Sequence, residues 1–463
     1  MSHEILTVAQ MAKADRDTIE AGTPGFDLMR VAGRAVAKFI LAEYEVPNIL
    51  VLCGPGNNGG DGFVIAEILR KARRSVLCAC LVEPEKLKGD ALKAYNNWRG
   101  ETVSFEAVDA STASLVVDAV FGTGFKGDLK AAVSDVFGQV RCLVVAVDIP
   151  SGVNGDTGAV DAHTLRADCT LTFHRKKLGH VLYPGAGYCG QVHEVDIGIT
   201  ADFESDALEN HPDLWLKTFP RKGLGGHKYD NGLVQVYGAP KLTGATRLAS
   251  EACARIGAGL VAVVAPKGTE DVYRAALAPH ILVYDQEDQP ERVAVRLYGP
   301  GGLGVKPDYK SDVPTVLDAD ALNDLPAGLS ENYVITPHEG EFVKAFPDIV
   351  GTKLDKARIA AMQIGAVIVL KGADTVIVHP DGRAVINAHA SAVLATAGSG
   401  DVLAGMIAGL LAQGMPAFEA SCASVWMHGE AALRFGPGLV ASDLIDLIPE
   451  VLQEELGFCA KLR

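Results

Sequence analysis

At 463 residues, 48% of them hydrophobic and 21% charged, the chain is too long for one ordinary core and reads as two globular domains, not as a disordered or fibrous polymer. Its net charge of -15 argues against nucleic acid as a partner, because proteins that grip a phosphate backbone concentrate Lys and Arg on one face. The longest apolar stretch, Val402 to Ala412, is far short of the ~20 residues that cross a bilayer, so no membrane partner is expected.

The nine cysteines include no C-x-x-C pair, which fits reduced thiols in a cytoplasmic protein better than disulfides or a zinc site. Helices are predicted over Thr7 to Ala21 and Leu28 to Tyr44; in the second, Leu28, Ala32, Val36, Phe39 and Ile40 fall on one face. Ile49 to Cys53 is a short apolar run bounded by glycine, the pattern of a buried parallel strand. It feeds Gly54-Pro-Gly-Asn-Asn-Gly-Gly-Asp-Gly62, after which a helix is predicted over Phe63 to Arg74. Strand, glycine loop and helix in that order meet the context of a dinucleotide fingerprint. Asn57, Asn58 and Asp61 are more polar than a tight turn requires, so this loop should present side chains as well as N–H groups.

Two later strand ends repeat the pattern. Leu115 to Phe121, with Asp118 inside it, runs into Gly122-Thr-Gly-Phe-Lys-Gly-Asp128, and Cys142 to Val147 runs into Asp148-Ile-Pro-Ser-Gly152. In open α/β sheets the loops at the carboxyl ends of the strands meet in one crevice, so the three should converge on a ligand. Asp118 is a buried charge that needs a partner. A cation shared with Asn58 and Ser151 is one answer; a salt bridge or a hydrogen-bonded carboxylate is another.

Together, Asn57-Asn-Gly-Gly-Asp61, Asp118-Ala-Val-Phe-Gly-Thr-Gly124 and Asp148-Ile-Pro-Ser-Gly152 resemble the NAD(P)H-hydrate epimerase domain over roughly residues 1 to 210. The resemblance implies a Rossmann-like three-layer α/β sandwich that interconverts the two C6 epimers of hydrated NADH or NADPH. It further implies that Asn57, Asn58, Gly59, Gly60 and Asp61, then Gly122, Thr123, Gly124, Phe125, Lys126, Gly127 and Asp128, together with Asp148, contact the hydrate. A potassium ion would be held by Asn58, Asp118 and Ser151, and Asp148 is the candidate acid/base. The second helix departs from the family in reading Leu28-Met-Arg-Val-Ala-Gly33, where Glu-Asn is common in place of Arg30 and Val31.

The strand pattern lapses between Thr200 and Gly226, through Asp202, Glu204, Asp206 and Glu209 and then Pro212 and Pro220. A domain boundary is expected near residue 215, giving domains 1–215 and 216–463. Beyond it, strands are predicted at Gly232 to Tyr237, Leu260 to Ala265, Val293 to Tyr298, Thr315 to Leu317, Tyr333 to Ile335 and Val367 to Leu370. Their alternation with helices implies a second, mostly parallel sheet. The last loop, Thr396-Ala-Gly-Ser-Gly-Asp-Val-Leu403, leads into a strongly apolar helix. Helix N-termini favour anions. Asp401 at that point is either a helix cap or a base beside a phosphoryl group.

Gly299-Pro-Gly, Asp318-Ala-Asp-Ala-Leu322, Thr336-Pro-His-Glu-Gly-Glu341, Leu370-Lys-Gly and Gly398-Ser-Gly-Asp401 resemble the ADP-dependent NAD(P)H-hydrate dehydratases of the ribokinase-like superfamily, over about residues 220 to 463. That resemblance implies a second three-layer α/β sandwich. Ala245, Gly301, His338 and Asp401 would face the hydrate, although the longer motif Gly299-Pro-Gly-Gly-Leu-Gly304 leaves Gly301 and Gly302 both open. Lys371, Gly372, Ala373, Asp374 and Thr375 would lie near the adenine nucleotide, with Gly398, Ser399 and Gly400 at its phosphates. ADP would phosphorylate the C6 hydroxyl, and elimination would return NAD(P)H with AMP and phosphate. Asp401 would act as the base, with Mg²⁺ on the phosphates.

The fused arrangement is that of the bifunctional NAD(P)H-hydrate repair family, with hydrated NADH or NADPH and ADP as substrates and a homo-oligomer as the expected state. The alternative is a ribokinase-like small-molecule kinase carrying an N-terminal nucleotide-binding module.

Overall fold

The apolar runs that end in glycine become parallel strands. In the computed structural model, β1 (Asn48–Cys53), β2 (Ser75–Cys80), β3 (Glu101–Ser104), β4 (Leu115–Ala119), β5 (Leu143–Val147), β6 (Cys169–Phe173) and β7 (Gln191–Val195) form one sheet in the order β3-β2-β1-β4-β5-β6-β7. Every neighbouring pair is parallel. The order reverses between β1 and β4, so a crevice opens at their carboxyl ends, where ligands bind in such sheets.

Alternation along the strands builds three layers. Ile49, Val51 and Cys53 of β1 join Val36, Ile40, Phe63 and Ile65 of the helices Gly25–Glu43 and Asn57–Lys71. Leu50 and Leu52 face the other way, toward Val133, Val136 and Phe137 of the helix Ala131–Phe137.

A second sheet contains β8 (Ala207–Glu209), β9 (Leu233–Tyr237), β10 (Leu260–Val264), β11 (Ile281–Tyr284), β12 (Val295–Tyr298), β13 (Thr315–Leu317), β14 (Tyr333–Ile335), β15 (Val367–Leu370), β16 (Thr375–Val378) and β17 (Ala384–Asn387). Its order is β11-β10-β9-β12-β13-β14-β15-β16-β17-β8. Only the pairs β15–β16 and β16–β17 are antiparallel, in keeping with a mostly parallel sheet. Val367 and Val369 of β15 pack in the large core with the helices Ser399–Ala412 and Ala417–Phe435, while Ile368 and Leu370 turn to the opposite face. Both halves are thus α/β sandwiches.

The structure describes residues 3–200, 205, 207–221, 226–454 and 457. The chain divides into two compact units, Met1–Ser205 and Asp206–Arg463, so the second unit starts earlier than the expected boundary near residue 215. Backbone pairing is the reason: Ala207–Glu209 pairs with β17. Asn210 Nδ2 donates to Asn387 Oδ1 at 2.9 Å and to the Cys422 carbonyl at 2.8 Å, and Trp215 is fully buried in the second core. Asp202, Glu204 and Asp206 of the acidic stretch, and residues 222–225, lie outside the described residues. Among the described residues, no helix is long and apolar enough to cross a membrane.

The helix expected over Phe63 to Arg74 begins instead at Asn57. A Cβ on Gly59 would lie 1.9 Å from the Gly54 carbonyl oxygen, so glycine lets the first helical turn press against the end of β1. Asn57, Asn58 and Asp61 therefore project from a helix, not from a loop.

The helix Ser399–Ala412 meets the helix Thr243–Arg255 with similar closeness, since a Cβ on Gly405 would sit 2.2 Å from the Ala249 carbonyl oxygen. Glycine in a helix costs about 1 kcal/mol relative to alanine, yet overpacking a core costs typically ~1–3 kcal/mol. Because backbone blocks the added methyl, the second effect wins. Gly405→Ala is expected to lower unfolding free energy by up to about 2 kcal/mol in a denaturant titration; increased stability would show that the helices can separate at little cost.

Candidate functional site

Two constellations stand at the carboxyl edges of the two sheets. In the first unit, a cavity of about 530 Å³ is lined by Asn57, Asn58, Asp61, Gly122, Thr123, Gly124, Phe125 and Asp148, with Asp15, Met29 and Phe173 among the other walls. The three glycine-rich strand ends do converge. Gly59, Gly60, Lys126, Gly127 and Asp128 do not line this cavity; a Cβ on Gly60 would strike Met29, which marks it as a packing position.

Asp148 follows β5 with φ at +66°, a region that non-glycine residues rarely occupy and that is tolerated where surroundings fix it. The surroundings here are specific. Lys177 Nζ, completely buried, donates to Asp148 Oδ1 at 2.8 Å and to Thr172 Oγ1 at 2.7 Å. Thr123 N donates to Asp148 Oδ2 at 3.1 Å. His180 Nδ1 accepts from Lys177 N at 2.9 Å, so its Nε2 carries the proton donated to the Asp148 carbonyl at 2.7 Å. Burial alone would raise the Asp148 carboxyl, but the Lys177 ammonium, its hydrogen bond and the Thr123 N–H together hold it at about 2. Burial, followed by the nearby Lys177 charge, pushes His180 down to about 4 and keeps it neutral. The sequence reading missed Lys177, Thr172 and His180. Lys177 ends the run Arg175-Lys-Lys177, which looks like solvated charge until folding buries one member.

Asp118 is fully buried in β4. Its carboxylate accepts from Ser151 N at 2.8 Å, Ser151 Oγ at 2.6 Å and Val120 N at 3.3 Å. Ser151 Oγ in turn accepts from Phe121 N at 2.8 Å. No cationic side chain pairs with Asp118 among the described residues, so burial raises its carboxyl despite those bonds. Asn58 Nδ2 is buried with no hydrogen-bond partner. The uncompensated buried Asp118 anion fits a bound cation in charge, and the carboxylate and hydroxyl oxygens of Asp118 and Ser151 fit it in ligand chemistry; the unpartnered Asn58 nitrogen is a donor and could not ligate it.

In the second unit, a cavity of about 490 Å³ is lined by His338, Lys371, Gly372, Ala373, Thr375, Thr396, Ser399, Gly400 and His428, with apolar walls from Leu394, Leu403 and Val425. Gly398 has φ at +89° and caps the helix that starts at Ser399. Gly400 and Asp401 are its second and third residues, where backbone N–H groups lack intrahelical acceptors. His428 Nε2 meets the Ser399 carbonyl at 3.0 Å and Ser399 Oγ donates to the Leu394 carbonyl at 2.9 Å, which together fix the loop.

Lys371 Nζ lies 2.8 Å from Asp318 Oδ1 and 3.9 Å from Glu341 Oε2, beside Gly400. Thr336 Oγ1 donates to the same Asp318 oxygen at 2.7 Å. Asp318 is therefore an ion-pair partner, with no capping hydrogen bond from its side chain. The Asp401 carboxyl caps nothing either: it is pushed up to about 6, by burial first and then by Asp318 and Glu341, against the opposing pull of Lys371. That value suits a general base near neutral pH.

The other expected residues divide. His338 caps the helix Glu339–Ala345, its Nδ1 accepting from Gly340 N and Glu341 N, and still lines the cavity. Asp374 does not line it; its carboxylate pairs with Lys353 Nζ at 2.5 Å. Ala245 and Gly301 lie side by side, a Cβ on Gly301 falling 3.1 Å from Ala245 Cβ, whereas one on Gly302 would face Asp320.

Each unit thus has the anatomy of an α/β enzyme acting on anionic, nucleotide-like ligands: a helix N-terminus at the strand ends and a carboxylate in an unusual environment. A family model described as YjeF-related protein N-terminus matches residues 25–179, and one described as NAD(P)H-hydrate dehydratase matches residues 233–452. The bifunctional NAD(P)H-hydrate repair enzyme of Moorella thermoacetica is 36% identical, the match covering 97% of this chain and 96% of that protein. Its Escherichia coli counterpart is 32% identical over 98% of this chain and 95% of its own length. Among solved structures, the ADP/ATP-dependent NAD(P)H-hydrate dehydratase of Bacillus subtilis, co-crystallised with ATP and Mg²⁺, is 27% identical, covering 53% of this chain and 97% of its own at a TM-score of 0.49. The chain belongs to the bifunctional NAD(P)H-hydrate repair enzymes.

Removing Lys177 leaves a buried carboxylate unpaired, a change that typically costs ~3–5 kcal/mol. The folded-state value of Asp148 lies below its ordinary value, so the stabilisation from this pair is present above about pH 4 and is lost as pH falls toward 2. Lys177→Met is therefore expected to lower the unfolding free energy of the first unit most at neutral pH, with the gap to wild type closing on acidification. A gap independent of pH would contradict the pairing.

Proposed function

We propose that this chain repairs hydrated NADH and NADPH in two reactions, one in each unit. The first unit exchanges the R and S epimers at C6, and the second dehydrates the S form at the expense of ADP, releasing AMP and phosphate. The observation that carries the reading is Asp401: a half-buried carboxylate with a raised affinity for protons, at a helix N-terminus that carries no side-chain cap hydrogen bond.

In this reading the N–H groups of Gly398, Ser399 and Gly400 receive the transferring phosphoryl, and Lys371, held by Asp318, adds positive charge beside them. Asp401 takes the proton of the attacking C6 hydroxyl. Gly372, Ala373 and Thr375 serve the nucleotide, and Asp374 acts through Lys353. Ala245, Gly301 and His338 face the hydrate. Mg²⁺ accompanies ADP as the counter-ion of its phosphates; among the described residues, no three His, Cys, Asp or Glu side chains converge in this cavity with metal-holding geometry.

In the first unit, the walls formed by Asn57, Asn58, Asp61, Gly122 to Phe125 and Asp148 take the hydrate. Asp118, Ser151 and Asn58 would hold a potassium ion, which would neutralise the buried Asp118 charge and fix the loops around it.

A base must be ionised to accept a proton. Dehydration should therefore fall roughly tenfold per pH unit below about pH 6, where Asp401 becomes protonated. Asp401→Asn should lower dehydration by about 10²–10⁴-fold and abolish that acid limb while ADP binding remains measurable. The return of reduced-nicotinamide absorbance, on adding hydrated NADH and ADP, reads the reaction directly. Near-normal turnover by the variant would remove Asp401 from the mechanism.

A further inference from the structure

We infer that Asp61 is the proton donor of the first cavity, working as a neutral carboxylic acid opposite the ionised Asp148. The inference rests on the epimerase reading of this unit. Asp61 lies on the helix Asn57–Lys71 with its side chain on the cavity wall and only 8% of its surface exposed. It makes no hydrogen bond and no ion pair among the described residues. A carboxylate stripped of water without a partner is costly, and the group takes up a proton instead.

The charges that face it reinforce this. Asp15 from the helix Val8–Glu20, Asp90 from the helix Gly89–Asn97 and Asp148 after β5 line the same cavity. Lys177 belongs to Asp148 and Lys93 to Asp90, and among the described residues no cation pairs with Asp61. Burial first, then Asp148 and Asp15, push its carboxyl well above the usual carboxylate range. Asp148 moves the other way. Two carboxyls in one cavity whose proton affinities are driven apart mark an acid and a base.

The chemistry of the hydrate uses such a pair. A hydroxyl on C6, next to the ring nitrogen N1, is a carbinolamine. Asp61 gives its proton to that hydroxyl oxygen, the C6–O bond breaks with its electrons leaving on water, and the N1 lone pair forms a C6=N1 double bond. Water then adds to the opposite face of the planar carbon, N1 recovers its pair, and the added water loses a proton to Asp148. Because Asp148 is much the stronger acid, the proton passes back to Asp61 and the cycle closes with no other reactant. The Asp148 anion also favours the positive charge that develops at N1.

The test follows epimer exchange by the full-length protein, starting from one pure C6 epimer of hydrated NADH without ADP. Asp61→Asn is expected to slow exchange by about 10²–10⁴-fold, and Asp61→Glu to recover part of the loss. Wild-type exchange should fall as pH rises and Asp61 ionises, and that limb should vanish in Asp61→Asn. The infrared difference between wild type and Asp61→Asn at neutral pH should contain a protonated-carboxyl band, a readout that does not depend on turnover. Exchange within a few fold of wild type in Asp61→Asn, no such band, or a large loss confined to Asp15→Asn would each overturn the assignment to Asp61 and leave the epimerase reading standing. A wild-type protein that exchanges epimers no faster than buffer would overturn the epimerase reading itself, and the role of Asp61 with it.

Discussion

The approach of one helix backbone to another backbone, at distances that admit no Cβ, is the constraint on which both cavities depend. Gly59 against the Gly54 carbonyl seats the helix Asn57–Lys71 on the end of β1, and Gly405 against Ala249 seats the helix Ser399–Ala412 on its neighbour. These contacts fix where the helix N-termini fall. Unpaired N–H groups at a helix start attract anions only where the helix is aimed at the ligand. With side chains at those glycines the helices would stand off, and Asn57, Asn58 and Asp61 in one unit, like Gly400 and Asp401 in the other, would lose their place at the strand ends.

Within that frame, the same side-chain chemistry is driven in opposite directions. Asp148 is buried beside an ammonium whose ion pair, among the described residues, is with it alone, so it stays ionised. Asp401 lies near a lysine already claimed by Asp318 and Glu341, so the excess negative charge and partial burial make it hold protons. Lysine position decides the difference. In the first unit the cation is given wholly to one carboxylate, and in the second it is shared away from it.

Much of the fold was legible in the sequence because parallel strands buried on both faces are continuous apolar runs, and glycine-rich turns punctuate them. β1, β4, β5, β9, β12, β13, β14 and β15 were all located this way. β6, reading Cys-Thr-Leu-Thr-Phe, was not, because threonines interrupt its apolar run, and nor were β16 and β17, which form the antiparallel part of the sheet. The start of the helix at Asn57 was also hidden, since Asn-Asn-Gly-Gly-Asp-Gly has poor helix propensity and only contact with β1 makes it helical. The boundary was displaced for a related reason: an acidic, Pro-containing stretch looks like a linker until Ala207–Glu209 is seen pairing with β17.

What the sequence determined by itself was the kind of residue available at each strand end: glycines, amides and aspartates, ordered along the chain as in the repair enzymes it belongs to. Tertiary structure alone decided which of them share a cavity and in what state of charge. Asp118 and Asp148 look alike in the sequence, each set in or just after an apolar run, yet one is left with hydrogen bonds only and the other meets Lys177. Asp374 lies among predicted nucleotide contacts but turns to Lys353. Proton affinity depends on burial and on charges a few ångströms away, and those neighbours come from segments tens of residues distant, whose placement no local pattern encodes.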